Sequence, residues 1–144
     1  MKNFNFWVSY LKIVSLIFIA MGMMWAFVGS FDPFGIYDTQ MARAFFGQDE
    51  LPADVAQATQ FLLGPFGMTS AGYFILQYFI VTNAFAKKEK WAYKAIVVAF
   101  FVWFGFDTAI SWSHGAYFNI LMANISSLVA MLPPIIATKK VFYP

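Results

Sequence analysis

Cysteine is absent from the 144 residues, histidine occurs once, at His114, and arginine once, at Arg43. Without thiols the chain can form neither a disulfide framework, a Cys-x-x-Cys redox centre nor a cysteine metal site. A single histidine cannot supply both axial ligands of a haem within one monomer. No His/Asp/Glu grouping has the spacing of a zinc site, so no metal and no cofactor is expected. Charge is scarce too. Asp, Glu, Lys and Arg together make up 11% of the residues, about half the share of an ordinary soluble domain.

What replaces charge is apolar surface: 61% of the chain is hydrophobic and 19 residues are phenylalanine. A soluble domain this small cannot enclose so much apolar surface in one core. A bilayer as solvent removes the difficulty. Four segments reach the roughly 20 apolar residues that a membrane-crossing helix needs. They lie at about 8–31, 65–86, 91–113 and 115–138, within a single domain of residues 1–144. Pro65 suits the first turn of the second span, where a missing N–H costs nothing. Pro133-Pro134 should break or bend the last turns of the fourth. Lys2 precedes an apolar stretch, but no small-residue cleavage site follows, and the stretch is too long for a signal core. The first span is therefore read as retained.

The few charges are sorted along the chain. Lysines cluster at Lys2 and Lys12, at Lys87, Lys88, Lys90 and Lys94, and at Lys139 and Lys140. Asp32, Asp38, Asp49, Glu50 and Asp54 share one segment with Arg43. Loops rich in lysine stay in the cytoplasm, which places both termini and the 87–94 loop inside and residues 32–64 outside. Basic residues that flank apolar runs do not form the soluble basic face that nucleic acid requires. The outer segment is too long for a plain connector. Met41–Phe46 and Val55–Leu63 have near-helical apolar spacing and are expected to lie flat at the interface as short amphipathic helices, separated by a turn over Gly47–Pro52. The fold class expected is all-α: an integral membrane four-helix bundle whose extracytoplasmic segment, between helices 1 and 2, carries short interfacial helices. The two short connections make spans two and three, and three and four, antiparallel neighbours.

Asp107 stands out within this frame. An ionisable residue on a membrane helix costs about 2.5–3.5 kcal/mol at the centre on the insertion scale, and it normally faces the bundle interior or a wet cavity. Asp107 is roughly six residues, or about 9 Å, from the outer end of its span. Ser111 and His114 follow on the same helical stripe. The tight Ser113-His114-Gly115 turn folds the last span back, so that Asn119 and Asn124 bracket the depth of Asp107 and Ser126 and Ser127 continue inward. Asp107, Thr108, Ser111, His114, Asn119 and Asn124 are therefore the candidate ligand-binding residues, and Asp107 the candidate catalytic one. The competing reading is that such side chains clamp neighbouring helices, at about 0.6–2 kcal/mol per contact. Gln77, Thr82 and Asn83 are read mainly as clamps of this kind. Gly64, Gly67 and Gly72 are read as sites of close helix packing. No Gly-x-Ser-x-Gly elbow, phosphate loop or internal repeat is present.

The second half carries the distinctive strings: KKEKWAYKAI, WFGFDTAISWSHGAYFN and ANISSLVAMLPPIIATKK. In these strings residues 64–140 resemble small bacterial four-helix membrane proteins of the DoxX-like type. A basic-Trp loop there precedes a Trp-Phe-x-x-Asp-Thr-x-x-Ser helix and an Asn-bearing last helix. The resemblance implies the four-span topology in a bacterial inner membrane and points again to Asp107, Thr108, Ser111 and Asn119. It implies no reaction. A more distant likeness to sterol-isomerase-like bundles founders on there being only one acid inside the spans. The expectation is a non-enzymatic membrane protein, either an accessory subunit with a membrane-protein partner or homo-oligomer, or a binder of a lipid-soluble molecule in an outer-leaflet polar pocket. One alternative is a small membrane enzyme using Asp107 as general acid or base, and another is an oligomeric transporter or channel.

Overall fold

Long apolar runs without interior glycine pairs or charge clusters become helices, and nearly all of this chain does. The computed structural model describes residues 3–28 and 35–144. Lys2, Asp32 and the expected end of the first span at 31 lie outside them. Helix α1 is Phe4–Val28, α2 is Ile36–Phe46 and α3 is Ala53–Ile80, which passes directly into a π-helical turn, Val81–Phe85. Helix α4 is Lys90–Ser113. The last helix opens as α5, Tyr117–Asn119, continues through a π-helical segment, Ile120–Ile125, and ends as α6, Ser126–Phe142. No strand occurs among the described residues.

Three of these stretches are long and apolar enough to cross a membrane: Phe4–Phe27, Lys90–Ser113 and Tyr117–Phe142. Their large apolar side chains face outward rather than in; Phe27 is 81% exposed, Phe106 and Leu121 69% each. An outward apolar surface of this extent marks a membrane protein. Helix α3 is long enough to cross but is not among the three, because Gly64, Gly67, Gly72, Thr69, Ser70 and Gln77 dilute its apolar character.

Helix α1 holds the assembly together. It packs along the length of α3, and its other side meets α6, which in turn meets α4. The antiparallel register of α1 and α3 is fixed by Phe18 stacked on Phe74 and Trp25 on Phe66, with ring centroids 4.5 and 5.5 Å apart. Gln77 Nε2 donates to Ser15 Oγ at 3.1 Å in the same seam, and Ser15 donates to Leu11 O at 2.8 Å. Toward the C-terminal end of α1 the two backbones touch. A Cβ added at Gly22 would lie 2.5 Å from the Gly67 carbonyl, and one added at Gly67 would lie 2.8 Å from Trp25 Cβ. Gly64 and Gly72 have open space where a Cβ would be, so of the three glycines read as packing sites only Gly67 makes the close approach. At the opposite end Phe4, Phe85, Tyr93 and Phe142 form one aromatic cluster that gathers α1, the π turn, α4 and α6.

The structure departs from the sequence expectations at three places. Pro65 does not open a helix: α3 begins at Ala53 and runs through it. The Val55–Leu63 piece is thus the N-terminal part of α3 and not a separate helix. Pro133 and Pro134 do not break the last helix, which continues to Phe142. Pro134 has no N–H for the carbonyl of Ala130, four residues back, and the Tyr10 hydroxyl of α1 donates to that carbonyl at 3.1 Å. The orphaned acceptor is satisfied from a neighbouring helix, as in membrane helices generally. Finally, α4 touches the π turn that follows α3 instead of running beside α3. Two i→i+5 bonds there, Ala86 N to Val81 O and Glu89 N to Ala84 O, end the helix and redirect the chain.

Candidate functional site

Polar side chains collect where α2, α4 and α5 meet. Asp107 and Ser111 lie on α4 one turn apart, and Asn119 ends α5 across the Gly115 turn, where φ is +69°. Asn119 is the hub. Its Nδ2 donates to Asp107 Oδ2 at 3.0 Å and to Ser111 Oγ at 2.9 Å. Its Oδ1 accepts from the Tyr37 hydroxyl at 3.2 Å. All of the amide's hydrogens are thereby committed, and the three partners fix its orientation.

Thr108 and Asn124 form a second link one step deeper, with Asn124 Nδ2 donating to Thr108 Oγ1 at 2.7 Å. The π-helical segment makes both links possible. In an α-helix residues five apart point about 140° away from each other, so Asn119 and Asn124 could not both face α4. The i→i+5 winding of Ile120–Ile125 brings such residues nearly into line. Asn124 is fully buried, and its Oδ1 has no hydrogen-bond partner among the described residues. Rotating the amide would leave the nitrogen unpaired instead, so one end of this side chain lacks a partner in either orientation.

Helix α2 covers the network. Tyr37 and Phe45 pack edge-on against Phe118, with ring centroids 5.0 and 6.4 Å apart. Burial pushes the Tyr37 hydroxyl above its ordinary value of 10.0, and the carboxylates of Asp107 and then Asp38 add to the shift. Tyr37 therefore remains a neutral donor through the physiological range. Gly47 ends α2 in the left-handed conformation at φ +65°, and the 2.7 Å Arg43–Asp49 pair fastens the following turn. Both partners of that pair are exposed, so its contribution to stability is small.

The sequence-derived candidates thus separate into groups. Asp107, Ser111 and Asn119 share one network, and Thr108 and Asn124 form the adjacent pair. His114 stands apart, exposed at the end of α4, with Nδ1 3.0 Å from Ile110 O and 3.0 Å from Ser113 Oγ. Ser126 turns back on Ala123 O of its own helix, and Ser127 is buried. Tyr37 is the member that sequence reasoning missed. Its partner lies 82 positions along the chain, and the only local signal was a tyrosine beside Asp38 after Gly35.

The arrangement suits binding and clamping better than bond making. Ser111 Oγ accepts from an amide, and no imidazole reaches it. Asp107 Oδ1 has no hydrogen-bond partner among the described residues, and the carboxylate forms no ion pair. No group of three or more His, Cys, Asp or Glu side chains able to hold a metal ion occurs among the described residues. Comparison with family models, with curated proteins and with solved structures finds no match.

Proposed function

We propose that this chain is a four-span protein of a bacterial inner membrane that binds a lipid-soluble molecule through Asp107. In this reading α1, α3, α4 and the last helix all cross, both termini and the lysine-rich loop are cytoplasmic, and α2 lies on the outer face. The DoxX-like resemblance of residues 64–140 belongs to the same proposal. The observation that carries the binding role is the second oxygen of Asp107. It lacks a partner among the described residues, on the same helix face as the Ser111 hydroxyl. A carboxylate in such surroundings favours a ligand that brings a donor, so the molecule has an apolar body and a hydroxyl, amine or similar head.

Native mass spectrometry of protein extracted gently from its own membrane tests this. The wild type should carry a small molecule that Asp107→Asn loses while keeping its helical content. Identical spectra from the two proteins would sink the binding reading. The orientation is tested separately by single cysteines at Ser113 and Lys140, since the chain has no cysteine of its own. An impermeant maleimide added to whole cells should label the first and spare the second.

A second reading, an accessory subunit, has one observation in its favour. A shallow apolar groove runs along the outside of α4, lined by Val98, Val102, Gly105 and Ala109 among others. A partner helix would fit against Gly105, where a Cβ would meet open space. A copurifying polypeptide that Gly105→Leu releases would establish it.

A further inference from the structure

The inner end of the protein carries a charge arrangement that the Asp107 site does not use, and whose geometry goes beyond orienting the chain. Lys87, Lys88, Lys90 and Lys94 come from the π turn–α4 connection, and Lys139 and Lys140 from the last turns of α6. All six are exposed. The aromatic cluster of Phe4, Phe85, Tyr93 and Phe142 draws their elements to one place, so the six ammonium groups form one collar. Within residues 87–94 and 139–144 Glu89 is the one side-chain carboxylate, and it is engaged by the indole N–H of Trp91. None of the six forms an ion pair among the described residues, where the one such pair is Arg43–Asp49.

Two of these lysines are held in place. Lys88 Nζ lies 5.6 Å from the centroid of the Phe4 ring, and Lys90 Nζ 5.6 Å from that of Tyr143. Cation–π contact fixes an ammonium without neutralising it. Lys88 also adopts φ +63°, a conformation that favours glycine. A lysine there accepts backbone strain and keeps its charge at the tip of the loop. Trp91 is 54% exposed beside them, as a side chain at headgroup level is expected to be.

We propose that this collar is a docking surface for anionic phospholipid headgroups, with Lys88 and Lys90 as its fixed centre. Unpaired positive charge with an adjoining aromatic belt is complementary to a phosphodiester of net negative charge at the edge of the bilayer. The inference rests on the chain crossing the membrane and not on the ligand assigned to Asp107.

The test uses the full chain reconstituted into nanodiscs with equal amounts of phosphatidylglycerol and phosphatidylcholine, the retained lipids being counted by native mass spectrometry. The wild type should retain phosphatidylglycerol preferentially. Each lysine removed should lower that preference by about fivefold, so Lys88→Gln with Lys90→Gln should lower it by about 25-fold. Lys88→Arg with Lys90→Arg should keep it, and Arg43→Gln, at the other end of the molecule, should leave it unchanged. Equal retention of the two lipids by the wild type, or a preference untouched by the double Gln variant, overturns the proposal. A chain that inserts but does not discriminate defeats only this inference. A chain that alkaline carbonate strips from the bilayer defeats the membrane-spanning reading itself.

Discussion

Removing the Tyr37 hydroxyl should loosen α2 from the rest of the molecule, by an amount that the geometry bounds. Tyr37→Phe keeps the edge-on contact with Phe118 and deletes one hydrogen bond, the 3.2 Å donation to Asn119 Oδ1. Hydrogen bonds between membrane helices measured by double-mutant cycles average about 0.6 kcal/mol and reach about 1.7, and Tyr37→Phe should cost an amount in that range. Asn119→Ala removes the same bond and two more, to Ser111 Oγ and Asp107 Oδ2. The bond to a carboxylate alone is worth about 1.5–3 kcal/mol, so this variant should lose about 2–4 kcal/mol, the lower end applying because Asn119 is only half-buried.

The decisive quantity is the coupling between the two changes. Unfolding in mixed micelles, followed by tryptophan fluorescence, gives the four stabilities of the cycle. If Tyr37 acts through Asn119, the double variant should be less destabilised than the sum of the singles by about 0.6–1.7 kcal/mol. Hydrogen exchange gives a second view, because Tyr37→Phe should speed exchange of the α2 amides by about three- to eighteenfold on the same energies. Additive losses, within about 0.3 kcal/mol, would refute the claim that Asn119 joins α2 to α4.

The other predictions follow from single contacts. Tyr37 ionises above 10.0 in the folded protein, so its contribution to stability is complete below that value and declines as pH rises through the raised one; Tyr37→Phe should flatten the alkaline limb of the stability curve relative to wild type. Tyr10→Phe leaves the carbonyl of Ala130 without its donor opposite Pro134 and should cost about 1–3 kcal/mol, whereas Tyr10→Phe combined with Pro134→Ala should recover most of that loss because the amide returns. Gly67→Ala places a Cβ 2.8 Å from Trp25 Cβ and against the Gly22 carbonyl, and should destabilise by about 1–3 kcal/mol. Gly72→Ala on the same helix meets nothing within 4 Å and should stabilise by up to about 1 kcal/mol; equal effects in thermal unfolding would remove the argument for a close α1–α3 crossing.

The elements legible in the sequence are those that a single helix determines alone. The runs at 91–113 and 115–138 are predominantly apolar, and the structure places helices there that are long enough to cross. The Gly47–Pro52 turn was legible because glycine there ends a helix in the left-handed conformation. That Asp107 lies at a depth between Asn119 and Asn124 was legible by counting residues around the tight turn; which asparagine it bonds was not. His114, on the same stripe, is engaged elsewhere by a local contact, its Nδ1 lying 3.0 Å from Ile110 O one turn back on its own helix.

What sequence could not show is how each irregularity is answered from another helix. A proline read alone predicts a break, because the missing N–H and the ring act on the helix that contains them. Whether the helix breaks depends on whether a donor reaches the abandoned carbonyl. At Pro134 that donor is Tyr10, 124 positions away in the numbering and adjacent across the α1–α6 seam. The π segment has the same character: nothing in ILMANI announces i→i+5 winding, yet that winding lets Asn119 and Asn124 both address α4. Extra winding at a polar pair has a reason here, because a strictly α-helical course would turn one asparagine toward lipid, where an unpaired amide costs more than a locally loosened helix. Tyr37 follows suit, since only the folded chain brings α2 over α5. In each case the residue that departs from the local rule is matched by a polar group on a different element.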